Sequence, residues 1–146
     1  MGSKYQRALK LAYGSKRRPT REVYELLLAA DKDGDARATY ALATWYLHGN
    51  RFCKKDYRRA VQMLKRAAEA DVASAVFDLA VSLEKGKGIR KSLKEAFRHF
   101  VQAALLGDAQ SHYEVGRMYF YGIGTAKDRN LAEFWLAKAE KLGVLN

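Results

Sequence analysis

The sequence predicts an all-α solenoid of about four helical hairpins. Three observations carry this: self-similarity at a period of about 36 residues, apolar residues at three- and four-residue steps inside each unit, and a single proline, Pro19, in 146 residues. Units that recur at such a period cannot bury their apolar faces alone, so they stack, and each touches only its neighbours.

The repeat is plainest when Ala36–Ala70, Ala73–Gly107 and Ala109–Gly143 are aligned. Each opens on a small residue, an aromatic and an aliphatic: Ala38, Tyr40 and Leu42, then Ala75, Phe77 and Leu79, then Ser111, Tyr113 and Val115. A large residue follows (Tyr46, Leu83, Tyr119), then a glycine (Gly49, Gly86, Gly122) that ends the first helix, because glycine takes the left-handed conformation at little cost. After a loop come two repeat alanines in the second helix: Ala60 and Ala67, Ala96 and Ala103, Ala132 and Ala139. Asp56, Ser92 and Asp128 stand four residues before the first of each pair, where an N-cap belongs. Ser92 with Glu95 reads as a capping box. Asp35, Asp71 and Asp108 are expected to cap the first helices in the same way. Lys4–Tyr13, ending at Gly14, reads as a shortened first helix, and Thr20–Ala30 as its partner, with Pro19 at the matching helix start. The chain is thus expected to be one domain, 1–146, with repeats at about 4–33, 35–70, 71–107 and 108–143.

Small residues recur where helices cross: Ala43, Ala80 and Gly116 at one point, Ala67, Ala103 and Ala139 at another. A larger side chain there overpacks the seam by about 1–3 kcal/mol. Leu64, Phe100 and Leu136 are expected to fill the core between.

The run Val115-Gly116-x-x-Tyr119-x-x-Gly122-x-Gly124, then Asp128, then Ala132-x-x-Trp135-Leu136-x-Lys138-Ala139, resembles the Sel-one-like repeat (SLR), a longer-looped relative of the tetratricopeptide repeat. Trp45 and Leu83 vary the pattern in the two middle units, and Arg7 stands where leucine is expected in the first. The resemblance implies a right-handed superhelix acting as a scaffold or adaptor for protein partners, with bacterial members serving in secretion, host interaction and toxin immunity. It also implies that first helices line a concave face. The positions facing it are Arg37, Tyr40, Thr44 and His48 in one repeat, Ser74, Phe77, Val81 and Lys85 in the next, and Gln110, Tyr113, Arg117 and Tyr121 in the last. Aromatic and arginine side chains suit protein recognition; Tyr40, Phe77 and Tyr113 equally suit packing between helices.

The formal net charge is +11, and its placement matters more than its size. Lys16, Arg17, Arg18 and Arg21 lie at the first interhelix loop; Arg51, Lys54, Lys55, Arg58 and Arg59 at the second. Lys87, Arg90, Lys91 and Lys94 join Lys85 at the third, with Lys127 and Arg129 at the fourth. Equivalent loops of a stacked array fall on one edge, so a basic ridge is expected there. Cations at helix starts oppose the helix dipole, which points to a use other than stability. Such a ridge attracts an acidic protein surface, nucleic acid or anionic lipid, or simply keeps the protein soluble. An acidic protein or peptide is the expected partner. A nucleic-acid-binding repeat protein is the alternative, although Phe52 and Tyr57 are the few aromatics interleaved for base stacking.

No catalytic constellation is evident, and no cofactor is expected. His48, His99 and His112 fall at different repeat positions, and no metal-ligand spacing occurs. Gly86-Lys87-Gly88 and Gly122-Ile123-Gly124 recur at the repeat period and read as helix-ending loops, not phosphate loops. No apolar stretch approaches the roughly 18 residues of a membrane span. The lone Cys53 fits a reducing compartment, so a cytoplasmic location is expected, provided that no native export signal has been trimmed from the N-terminus. At the other end, Phe134 stands where earlier repeats carry Gln62 and Arg98, and Val144 and Leu145 add apolar surface. That end is expected to dock against a second copy or a partner, against the alternative of a tail folding back over Phe134.

Overall fold

A computed structural model describes residues 2–14 and 20–144. Among them are eight helices and no strand: α1 (Lys4–Gly14), α2 (Arg21–Lys32), α3 (Ala36–His48), α4 (Tyr57–Glu69), α5 (Ala73–Lys85), α6 (Leu93–Leu105), α7 (Ala109–Tyr121) and α8 (Arg129–Lys141). They pair as four hairpins, and each helix packs chiefly on its neighbours in sequence. The fold is the all-α repeat array that the period predicts. Lys16, Arg17, Arg18, Pro19 and Leu145 lie outside the described residues.

The two kinds of junction repeat almost atom for atom. Inside each hairpin the second helix starts at an extended cap: Thr20 accepts from the Val23 amide, Asp56 from Arg59, Ser92 from Glu95 and Asp128 from Leu131. The amides of Asp56, Ser92 and Asp128 donate to the carbonyls of Tyr46, Leu83 and Tyr119, the large residues of the first helices. The Ser92 amide is therefore already satisfied, and the Ser92–Glu95 box closes from one side only. After each hairpin, the amides of Asp35, Val72, Asp108 and Val144 donate to the carbonyls of Ala30, Ala67, Ala103 and Ala139. This is the six-to-one bond of a Schellman turn, and the residue before each donor takes a left-handed conformation.

That turn corrects one expectation. Asp71 is not an N-cap. It sits at φ 60°, the position held elsewhere by Gly34, Gly107 and Gly143. Val72 occupies the cap position and makes no side-chain cap bond; it packs on the core instead. Asp35 and Asp108 do cap α3 and α7.

The core is a ladder of small and large residues. Ala38, Ala43, Ala60, Ala67, Ala75, Ala80, Ala96, Ala103 and Ala132 are wholly buried, with Leu64 and Phe100 between them. Gly116 has no room for a methyl group: a Cβ there would stand 2.7 Å from the Leu136 side chain. Leu136 itself is only half-buried. Ser111, in an alanine position, is fully buried and tolerated because its hydroxyl donates to Asp108 Oδ2 at 2.6 Å.

Candidate functional site

The first helices α3, α5 and α7 expose a common face. Of the twelve positions predicted to line it, none is fully buried: Arg37, His48, Ser74, Lys85, Gln110 and Tyr121 are exposed, and the other six are half-buried. Tyr121 is the most prominent aromatic, 64% exposed. Several of the others also hold the stack together. The Tyr40 hydroxyl donates to Asp78 Oδ2 at 2.9 Å, tying α3 to α5. Arg117 donates to Glu84 at 2.7 Å and to Glu114 at 2.8 Å, tying α5 to α7. Arg37 binds Asp35 and lies over the Tyr5 ring of α1 at 4.6 Å. Phe77 meets the buried Phe100 edge to face, and Thr44 turns its hydroxyl to the Ala41 carbonyl.

Sequence reading missed the acids of this face. Asp78 and Glu114 each directly follow the repeat aromatic, Phe77 and Tyr113; that recurring aromatic–acid pair was the available signal. Burial pushes the Asp78 carboxyl above its ordinary range, and the charge of Asp108 adds to this, against the Tyr40 bond and His48. Burial likewise raises the Tyr40 hydroxyl, with Asp78 second. Arg117 is held more firmly charged than usual: burial opposes the charge, but the Glu84 and Glu114 bonds outweigh it.

The ridge residues lie at the loops and second-helix starts, and every described one is exposed: Arg21, Arg51, Lys54, Lys55, Arg58, Arg59, Lys87, Arg90, Lys91 and Lys94. Close packing joins the loops into one edge. A Cβ on Gly88 would stand 2.3 Å from the Tyr57 carbonyl oxygen, and one on Gly124 would stand 2.1 Å from that of Leu93. Each loop therefore rests its backbone on the second-helix start of the preceding repeat, which a side chain would forbid. Among the described residues, none of the ridge cations forms an ion pair; the pairs use Lys4, Arg37, Arg66 and Arg117. Several of the ridge cations sit on rings instead. Arg21 and Arg51 flank Phe52 at 5.5 and 5.3 Å, Arg59 lies over Tyr46 at 4.8 Å, and Arg129 over Phe120 at 3.8 Å. Phe52 stacks with Tyr24 and Trp45 beneath.

Face and edge meet in a cleft of about 300 Å³ lined by His48, Lys55, Tyr57, Asp78, Lys85 and Lys87, among others. Lys55 and Lys87 bring their ammonium groups to 5.5 and 5.4 Å from the Tyr57 ring centroid. Together they hold the Tyr57 hydroxyl below its usual pKa, Lys55 by its hydrogen bond first. Cys53 is buried, contrary to its loop setting. It neighbours Tyr46, whose hydroxyl is pushed up to about 12 by burial first and by Cys53 second. His112 is buried, its Nδ1 3.0 Å from the Asp108 carbonyl oxygen. Among the described residues no His, Cys, Asp and Glu cluster could hold a metal ion, and no helix is long and apolar enough to cross a membrane.

Phe134 is 55% exposed, so the tail as far as Val144 does not cover it. Leu131 on the same helix and Leu142 at its C-cap are exposed as well.

Three comparisons bear on this surface. The Sel1 repeat family model matches residues 36–72, 73–108 and 109–144, the second to fourth hairpins. A Schizosaccharomyces pombe protein named chitin synthase regulatory factor 3 is 35% identical over 133 residues, covering 90% of this chain and 14% of its own length. The chain thus spans a small part of that relative. A protective antigen of uropathogenic Escherichia coli with an SLR fold superposes with a TM-score of 0.88 at 26% identity, over 96% of this chain and 30% of the other. A Sel1 repeat protein from Oxalobacter formigenes gives 0.86 at 25% identity, over 96% and 57%.

Proposed function

The chain belongs to the Sel1 repeat family, and on that premise we propose that it is a protein-interaction scaffold or adaptor with no catalytic activity of its own. Its partner is a protein or peptide with an acidic surface. The first-helix face supplies specificity, and the basic edge recruits and orients the partner. One observation carries this: the described lysines and arginines of the loop edge are exposed, and none of them forms an ion pair with a carboxylate of the described residues. Unpaired cations at helix starts cost stability and speed encounter with an anionic surface. The fission-yeast relative is named a regulatory factor, which is in keeping with an adaptor role. A bacterial effector-immunity protein is another concrete form of the same mechanism. A cytoplasmic setting goes with this reading, since the lone cysteine is free.

The alternative, nucleic-acid binding along the same edge, draws on the same cations. The aromatic rings there already carry lysine and arginine on them, which leaves little open surface for base stacking. Affinity capture from the native source at two salt concentrations separates the readings. We expect wild type to retain one protein that the Lys54→Glu, Lys55→Glu, Arg58→Glu, Arg59→Glu variant loses. Nuclease-sensitive recovery of nucleic acid by wild type alone, falling steeply with salt, overturns the proposal.

A further inference from the structure

We propose that the cleft between the C-terminal ends of α3 and α5 seats a glutamate or aspartate carboxylate from an extended, acidic peptide segment of the partner. The inference rests on the reading of face and edge as the partner surface, and adds where the anchor lies and what chemistry it takes.

In this cleft the two surfaces share a wall. His48 and Lys85 come from the first-helix face, Lys55 and Lys87 from the edge, and Tyr57 lies between. Two ammonium groups converge on a single ring, and neither has a carboxylate within ion-pair distance. Like charges so gathered repel one another, and an anion between them relieves the repulsion. The backbone beneath is fixed in advance. The Lys87 loop rests through Gly88 on the Tyr57 carbonyl. Gly49 likewise leaves its Cβ direction 3.2 Å from the Lys55 amide nitrogen. Such preorganisation lowers the ordering cost of binding. Leu47 and Val81 provide an apolar wall for the methylenes of an acidic side chain.

Asp78 is the acidic group of the cleft, and it does not cancel the site. Its Oδ2 already accepts the Tyr40 hydroxyl, His48 stands close enough to act on its charge, and Lys55, Lys85 and Lys87 line the same cleft.

The test uses a fluorescein-labelled octaglutamate and fluorescence anisotropy on the full chain. The Lys55→Gln, Lys87→Gln variant removes two charges inside the cleft; Arg90→Gln, Lys94→Gln removes two on the edge outside it. All four residues are exposed, and circular dichroism checks that both variants fold. We expect the cleft pair to weaken binding by about tenfold or more and the outer pair by less than about threefold. Amide shifts on titration should concentrate at His48, Tyr57 and Ser82. Equal weakening by both pairs overturns the cleft while leaving the basic edge as the partner surface. No binding of octaglutamate by wild type also overturns it, whatever the affinity capture returns. So does an oligothymidylate that loses affinity in the cleft variant when octaglutamate does not.

Discussion

Tyr40 and Asp78 lie 38 residues apart and meet at 2.9 Å, so one hydrogen bond spans two repeats. Burial there favours the uncharged carboxyl. The sign of the pH effect follows. With its pKa raised in the fold, Asp78 contributes stability that is fully present below the ordinary carboxylate value near about 4. That contribution is lost as pH rises through the folded value. Asp78→Asn keeps an acceptor for Tyr40 and removes the charge. Its melting temperature at neutral pH should exceed wild type by a few degrees, and should change less with pH from about 4 to about 7. Thermal unfolding followed by circular dichroism at several pH values checks this; an asparagine variant less stable at neutral pH would show that the charge helps the fold.

At the scale of the element, the Schellman turn after α4 carries an aspartate in a glycine conformation. Asp71 at φ 60° is exposed, and a left-handed residue other than glycine costs about 1–2 kcal/mol, less for aspartate. Asp71→Gly should therefore stabilise the protein by up to about 1 kcal/mol, seen as a higher denaturant midpoint with an unchanged slope. The same turn shows where sequence reading ends. The caps Asp56, Ser92 and Asp128 were legible because each precedes its repeat alanine by a fixed step. Asp71 was misplaced because an aspartate stands one residue before the true cap, and only the backbone tells the two positions apart. The helices and alanine seams were legible from spacing, since burial follows the helical period. The pairs Tyr40–Asp78 and Arg117–Glu84 were not, because they join different repeats across an interface that spacing within one repeat does not describe. The ridge was legible as charge, whereas its seating on Phe52, Tyr57 and Phe120 was not.

Over the whole molecule, exposed cations line the loop edge, and exposed apolar side chains gather at the α8 end. Like charge along the edge opposes lateral association, while α8 presents Leu131 and Phe134 outward, with Leu142 at its C-cap. Scattered exposed apolar residues are ordinary, but a cluster on one helix marks a contact surface. We expect reversible self-association through α8 at high micromolar concentration, abolished by Phe134→Glu. Sedimentation velocity decides it: a single monomeric boundary for wild type at that concentration removes the contact.

Each helix rests chiefly on the next, with side-chain ties such as Arg117–Glu84 bridging alternate helices. A load applied between the two ends is then carried in series, as by links of a spring, and each seam yields a little. A scaffold built this way can change its pitch to suit a partner without breaking any one interface.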